Sequence, residues 1–275
     1  MGSLRFLAGF YLLFCLAAPA HAEQGSTGGK DRAEDLSNQI NDPTSPLTTL
    51  QLRDVVTPRV PDANGPGNAL ELLPVVPILP SHFLPFTQLL KATLPVLVTL
   101  PSPTSVTGLG DFQLFDLVTI SQSWGRWGFG PIFVFPTATS QSLGQGKWQV
   151  GPALGGIYSS VKNLVIGAVL QNPISFAGDA SRPSVNSLVI TPTATYTLPG
   201  HGGWFLGYSD FNLSFDWENG GAATIPVGIQ AGKVLELAGL GFSASLEGGA
   251  AVVRPSSFPR WLIGIELTAI HPDRK

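Results

Sequence analysis

Residues 129–156, FGPIFVFPTATSQSLGQGKWQVGPALGG, decide the fold class of this chain. They form two predicted β-strands around a glycine-containing turn, with Lys147 as their one charged residue. Both strands contain proline, which cannot donate a ladder hydrogen bond and is normally excluded from central strands. Glycine permits tight bends and close packing at a curved wall. This composition favours a closed barrel, with Pro131, Pro136 and Pro152 expected at bulges or near strand ends.

The composition of the whole chain indicates a membrane protein without membrane helices. Of its 275 residues, 44 % are hydrophobic and only 12 % are charged, whereas soluble domains have about 25 % charged residues. After the N-terminal segment no run approaches the roughly 18 apolar residues that a membrane helix needs. The closed β-barrel is the other structure that can span a bilayer. The formal net charge of −3 predicts no nucleic-acid partner.

The N-terminus predicts export from the cytoplasm of a Gram-negative bacterium. Residues 1–22, MGSLRFLAGFYLLFCLAAPAHA, have a basic residue, an apolar run and a final A-x-A site, as in a cleaved signal peptide. Lipidation at Cys15 is the less favoured alternative. Cleavage removes Cys15, the sole cysteine, so no disulfide or thiol chemistry is expected. We predict a disordered periplasmic leader over 23–45 and an outer-membrane β-barrel over 46–275.

The strand count rests on segments of about ten residues in which apolar and small or polar side chains alternate, as in transmembrane barrel strands. In one of them, Phe211 and Leu213 share the predicted lipid face with Phe215 and Trp217. An all-β, antiparallel barrel of about twelve strands is expected, with ten as the alternative, because bacterial single-chain barrels have an even number. The predicted strands are 46–56, 69–79, 93–100, 109–121, 128–137, 147–158, 163–171, 185–198, 203–217, 223–232, 239–253 and 260–270.

An even strand number places both ends of the barrel sequence in the periplasm. Loops such as 138–146 and 172–184, which are rich in glycine, proline and serine, then face outward. Short turns such as 159–162 and 199–202 face the periplasm, as is usual for these barrels. The linker 80–92 is the exception, because it is long and falls on the periplasmic side.

Polar residues on the predicted inner faces are the candidate lumen residues. They are Asp210, Asp216, Glu247, Glu266, Lys147 and Gln149. Paired carboxylates could form an active site, but a polar lumen whose charges tune solute passage is the favoured interpretation. Lys147 and Lys233 are possible partners of these carboxylates. No histidine pair has metal-ligand spacing, so we predict neither enzyme activity, nor a metal, nor a cofactor.

The six tryptophans lie near the ends of predicted strands. They are Trp124, Trp127, Trp148, Trp204, Trp217 and Trp261. Tryptophan at this position is typical of the aromatic girdle at a membrane interface. A role in stacking against a ligand is the alternative.

Five motifs occur in order along the chain: GLGD at 108–111, GPIFVFPTAT at 130–139, GQGKWQVGP at 144–152, SFAGD at 175–179 and FDWE at 215–218. With these spacings, roughly residues 70–270 resemble the outer-membrane protein family named for the meta-cleavage pathway of phenol degradation. The resemblance implies an outer-membrane barrel that passes hydrophobic or aromatic compounds, and it brings no catalytic residues. One departure is the C-terminus, where Ile270 and His271 stand in place of the aromatic residue common in such barrels.

Two classes of function follow from these observations. The first is a passive channel or transporter for small hydrophobic or aromatic solutes. The second is a structural or enzymatic barrel with a plugged lumen, and a secreted soluble β-protein is a much weaker third. The expected partners are outer-membrane lipid, the barrel-assembly machinery and a small solute whose identity the sequence does not give.

Overall fold

The structure, a computed structural model, describes residues 27–61, 63, 65–82, 85–101, 105–237 and 240–271. The predicted signal peptide lies outside these residues. One helix, α1 (Thr27–Ile40), precedes the strands. The strands are β1 (Thr48–Thr57), β2 (Gly67–Ile78), β3 (Thr87–Leu100), β4 (Val106–Gly108), β5 (Phe112–Gln122), β6 (Gly125–Phe135), β7 (Lys147–Tyr158), β8 (Leu164–Gln171), β9 (Ile174–Gly178), β10 (Ser187–Thr197), β11 (Trp204–Tyr208), β12 (Leu213–Asp216), β13 (Ala222–Leu237), β14 (Leu240–Val253) and β15 (Trp261–His271).

These segments form one closed barrel of twelve antiparallel strands. Three barrel strands are interrupted, so that β4 and β5, β8 and β9, and β11 and β12 each count as one. Neighbouring barrel strands pair in sequence order, and β1 pairs with β15 from Thr48↔His271 to Val56↔Ile263, which closes the wall. The prediction of twelve strands is confirmed. No helix in the described residues is long and apolar enough to cross a membrane.

The predicted disordered leader is wrong over residues 27–40, which form α1. Its polar composition suggests disorder when the segment is read alone. In the structure the helix contacts β10, β11 and β13 of the barrel, so tertiary contacts order it. Its stability therefore depends on the barrel.

Strand β3 begins at Thr87, six residues earlier than its predicted start. Residues 87–92 of the long linker predicted over 80–92 are therefore strand, and the connection from β2 to β3 is residues 79–86. The error arose because Leu89 and Leu90 are both apolar, which hides the alternation. Leu89 is only 1 % exposed and faces inward.

Pro131 and Pro152 lie within β6 and β7, not at strand ends, and they face each other across the ladder. The Pro152 carbonyl accepts a hydrogen bond from Asn172 N on its other side (3.0 Å). In an antiparallel pair, the N–H and C=O of one residue point to the same side. The missing N–H of Pro152 therefore points to the interruption between β8 and β9, where the ladder is broken already. Pro136 follows the end of β6, as expected.

The side chains on the two faces of the barrel differ in chemistry. Outward-facing residues are large and apolar, for example Ile229 (77 % exposed) and Leu246 (59 % exposed). Inward-facing residues are polar over much of the wall, but one side of the interior is a packed apolar cluster. Its members are Leu89, Phe115, Leu117, Ile132, Val134, Ala153 and Val169. The apolar belt suits the hydrocarbon of a membrane, and the packed side narrows the lumen.

The barrel has two distinct ends. The helix end carries α1 and the short connections 123–124, 159–163 and 198–203. The loop end carries longer connections, which include 136–146 and 179–186. Because the two ends differ, labelling one exposed residue at each end can test which end faces the outside of the cell.

Ser181, at the loop end, is exposed and is expected to lie outside the cell. Ser181→Cys should react with a membrane-impermeant maleimide on intact cells. His201→Cys, a matched control in the exposed turn at the helix end, should react only after the outer membrane is opened. The reverse labelling pattern would contradict the orientation.

Leu246 and Ser245 are neighbours whose side chains point to opposite faces. Leu246→Arg should lower the free energy of unfolding by about 2–4 kcal/mol, because the charge enters hydrocarbon. Ser245→Arg should have a much smaller effect, since Ser245 lines a lumen cavity. Urea unfolding of both variants in lipid vesicles measures the contrast. A larger loss for Ser245→Arg would mean that the register is one residue out, and equal losses would contradict the difference between the two faces.

Candidate functional site

Residues 27–47, which we call the plug segment, pack at the helix end of the barrel, where α1 contacts β10, β11 and β13. Inside α1, Ser37 is fully buried and its hydroxyl lies 3.1 Å from the hydroxyl of Thr197. Asn38 Nδ2 donates to Asn163 Oδ1 (3.2 Å), and Glu34 accepts from Gly200 N (2.5 Å). The helix is therefore held on the barrel by polar contacts.

After α1, the plug segment runs along the inside of the wall. Asp42 Oδ2 pairs with Arg126 Nη1 of β6 (2.9 Å). Its other oxygen accepts from the amide (2.8 Å) and hydroxyl (2.6 Å) of Thr44. Thr44 is fully buried, and a Cβ on Gly155 would lie 3.6 Å from its methyl group. This contact places the segment in the lumen, against β7.

Further into the barrel lies a group of charged side chains, which we call the charged ring. Its members are Arg53, Glu71, Lys91, Asp210, Glu247 and Glu266. Three of them form a row across neighbouring strands, because Arg53 of β1 pairs in register with Glu71 of β2 and with Glu266 of β15. The ring therefore concentrates charge at one level of the lumen.

The tightest contact in the charged ring is the ion pair between Arg53 and Glu247. Arg53 Nη2 and Nε lie 2.6 and 3.1 Å from Glu247 Oε1, and the two side chains are 12 % and 5 % exposed. Gly264 makes room for this pair, since a Cβ there would lie 2.3 Å from Glu247 Oε1. A larger residue at 264 would push the carboxylate away from Arg53.

Asp210, another member of the charged ring, lies in the interruption between β11 and β12. Asp210 N in this interruption donates to Glu247 Oε2 (2.8 Å). Phe211 is only 4 % exposed, and its ring centre lies 5.7 Å from Arg53 Cζ. Its predicted place on the lipid face is wrong, because the ladder breaks at residues 209–212 and the period-2 alternation does not hold there.

Two cavities occupy the described lumen. The one on the side of the plug segment has a volume of about 220 Å³, and the one toward the loop end about 350 Å³. Four polar side chains line both cavities: Glu71, Gln113, Gln171 and Asn212. These four side chains therefore stand where a solute would pass from one cavity to the other.

The loop end is narrowed by residues 136–146, which we call the inner loop. The Asp111 carboxylate accepts from Ala138 N (3.1 Å) and Gln145 N (2.6 Å) of this loop. From the other side, Arg182 donates to the carbonyls of Gln141 (2.6 Å) and Gly144 (2.5 Å). The inner loop lines the larger cavity through Leu143, Gly144 and Gln145.

The sequence motifs meet at the inner loop. Asp111 ends GLGD, Ala138 lies in the second motif and Gln145 in the third. Asp179, which ends SFAGD, donates its N–H to Gly146 O (3.0 Å). Hydrogen bonds from Ser181 lower the pKa of the Asp179 carboxyl below its ordinary value. Four motifs that are far apart in sequence thus hold one constriction in place.

The candidate lumen residues occupy three different places. Asp210, Glu247 and Glu266 belong to the charged ring. Lys147 and Gln149 are buried near the inner loop, and Gln149 Nε2 donates to Gln145. Asp216 lies apart, at the loop end, where it caps a short 3₁₀ helix and accepts from Glu218 N (3.1 Å).

Several charged residues of the ring were missed, and one basic residue was misassigned to it. Arg53 and Lys91 were not among the candidates, although a basic residue in an otherwise apolar strand is a visible signal. Glu71 was also not among the candidates. Lys233 was expected as a partner, but its ammonium lies 5.5 Å from the Trp204 ring centre, on the outer face. That pairing is therefore wrong, because Lys233 has the outward parity of its strand.

The tryptophans divide between the two ends. Trp124, Trp127 and Trp204 lie toward the helix end, and Trp148, Trp217 and Trp261 lie toward the loop end. Five are 42–57 % exposed, whereas Trp127 is half-buried and stacks on Phe129 (6.0 Å between ring centres). Their membership of an interfacial girdle stays a prediction.

In the part of the chain that the structure describes, no cluster of three or more His, Cys, Asp or Glu side chains is placed to hold a metal ion. No protein-family model matches the chain, and the curated proteins give no significant match.

Solved structures share its fold. The barrel is similar to the crystal structure of the COG4313 outer membrane channel from Pseudomonas putida F1, with a TM-score of 0.60 and 13 % sequence identity over 84 % of this chain and 99 % of that one. It is also similar to the NanC porin, with a TM-score of 0.50 and 10 % identity over 82 % and 100 %. The closed barrel and its apolar outer belt place the chain in a bacterial outer membrane.

The Arg53–Glu247 pair can be tested by stability. Arg53→Met should lower the free energy of unfolding by about 3–5 kcal/mol, because it leaves the Glu247 carboxylate buried without its partner. The double variant Arg53→Met/Glu247→Gln should recover much of the loss, since position 247 then no longer carries a buried carboxylate without its partner. Urea unfolding in lipid vesicles gives the values.

Arg32→Met is the matched control for that series. It removes an ion pair with Glu236 in which Arg32 is 66 % exposed, so it should change stability by less than about 1 kcal/mol. Equal instability of Arg53→Met and the double variant would show that the two side chains are not coupled.

Proposed function

We propose that this protein is a passive outer-membrane channel for small hydrophilic solutes. The observation that carries the proposal is the pair of cavities in the lumen, which share the polar side chains Glu71, Gln113, Gln171 and Asn212. Together the cavities offer a polar route from the loop end toward the helix end. A polar lumen inside an apolar belt is the usual arrangement in water-filled barrels.

The lining favours hydrophilic solutes over the hydrophobic or aromatic ones that the family resemblance implies. An apolar solute at the charged ring would displace water from Arg53, Lys91 and the carboxylates. Removing water from charged groups without replacing their hydrogen bonds is strongly unfavourable. Passage of hydrophobic solutes therefore stays a prediction from the resemblance, and the absence of enzyme activity stays a prediction from the sequence.

A barrel with a plugged lumen is the second candidate. The plug segment supports it, because residues 27–47 fold into the helix end and Ser37 and Thr44 are fully buried there. The polar contacts that hold α1 include hydrogen bonds and one exposed ion pair. Such contacts are each worth about 0.5–1.5 kcal/mol, so the helix is displaceable.

The single-channel conductance of the purified barrel in planar lipid bilayers separates the two candidates. The native protein should conduct, and a variant lacking residues 27–41 should conduct more, because its helix end is unobstructed. Asp42→Asn provides a second variant that keeps the whole chain and removes only the charge paired with Arg126. It should raise the frequency of the larger conductance level.

Correct folding of each variant is checked by its heat-dependent mobility on a gel. Folded native protein and folded deletion variant that both fail to conduct would overturn the channel proposal and support a structural barrel. Conductance that is unchanged by the deletion would show that the plug segment does not limit the flow.

A further inference from the structure

We propose that the charged ring makes this channel cation-selective, with Glu71, Asp210 and Glu266 setting the preference. The inference rests on the proposed channel function and names its solute class: small cations, or small solutes with a cationic group. Its starting point is composition. The ring has four carboxylates and two cationic side chains among the described residues.

The two cations of the ring do not offset the carboxylates equally. Arg53 makes two contacts with Glu247 Oε1, at 2.6 and 3.1 Å, so each of these two charges is largely neutralised by the other. Lys91 then stands against the three remaining carboxylates, Glu71, Asp210 and Glu266. All four line the cavity on the side of the plug segment, so the excess negative charge faces the space that an ion would enter.

The position of the ring increases its effect on a passing ion. Glu71 lines both cavities, so every solute that moves between them passes its carboxylate. Phe115 and Ile132, two members of the apolar cluster, also line the cavity on the side of the plug segment. An apolar wall of low dielectric focuses the field of the charges into the remaining space, which raises the local concentration of counter-ions.

Charges elsewhere in the lumen do not reverse this sign. At the helix end, Arg126 is paired with Asp42 at 2.9 Å. Near the loop end, Lys147 lies close enough to Asp179 to interact with it electrostatically, and Asp111 adds a further carboxylate that lines the larger cavity. Within the described lumen, the charged ring is thus the place where negative side chains most outnumber positive ones.

The test is the reversal potential of the purified protein in planar bilayers under a potassium chloride gradient, which gives the permeability ratio of potassium to chloride. Native protein should prefer potassium. Glu266→Gln and Glu71→Gln should each lower the ratio roughly twofold, the size expected for one charge acting through water across a narrow lumen. Lys91→Met should raise it.

Glu218→Gln is the matched control, because it removes the same charge with the same shape outside the lumen. Glu218 is exposed in the 3₁₀ helix at the loop end. This variant should not change the permeability ratio by more than a small fraction. Measurements at high salt should shrink the differences among all variants, since salt screens the field.

The outcomes distinguish the selectivity from the channel itself. Current with no preference, or with a preference for chloride, would overturn the cation selectivity and leave the channel function intact. A cation preference that the ring variants and Glu218→Gln change equally would place the selectivity outside the ring and also overturn it. Absence of current from folded protein would remove the channel function on which the inference rests.

Discussion

The closure of the barrel by β1 and β15 is the constraint on which the rest of the structure depends. In hydrocarbon a backbone N–H or C=O without a partner is costly, so a membrane-spanning sheet needs every strand paired on both sides. The register from Thr48↔His271 to Val56↔Ile263 provides that pairing. The same constraint explains why Pro152 is tolerated, because its missing donor points to a place where the neighbouring strand is already interrupted.

Closure also creates an interior whose two sides have opposite chemistry. One side is filled by an apolar cluster around Leu117, which is fully buried. The other carries the charged ring, where burial of Glu247 is compensated by Arg53 and by the backbone amide of Asp210. The apolar side gives packing and leaves a narrow lumen. The charged side lines the remaining space with groups that are costly to remove from water.

The fold was predictable from sequence because its signal is repeated in most of the strands. Alternation, low charge and the even strand number together gave the twelve-stranded barrel, which the pairing confirms. The site was less predictable, because which side chains meet depends on register across strands distant in sequence. Arg53 and Glu247 are 194 positions apart, and no local pattern joins them. Alternation also failed at Phe211, where the strand is interrupted, and the composition of 27–40 gave no sign of the helix.

The plug segment has a consequence for the order in which the protein assembles. Ser37 contacts Thr197, 160 residues later, and α1 also touches β13. The surface that orders the helix therefore exists only when the far side of the wall has formed. The N-terminal segment of the barrel chain is thus among the last to acquire structure. The polar composition of the segment keeps it soluble before the barrel wall has formed. It therefore does not expose apolar surface that would aggregate.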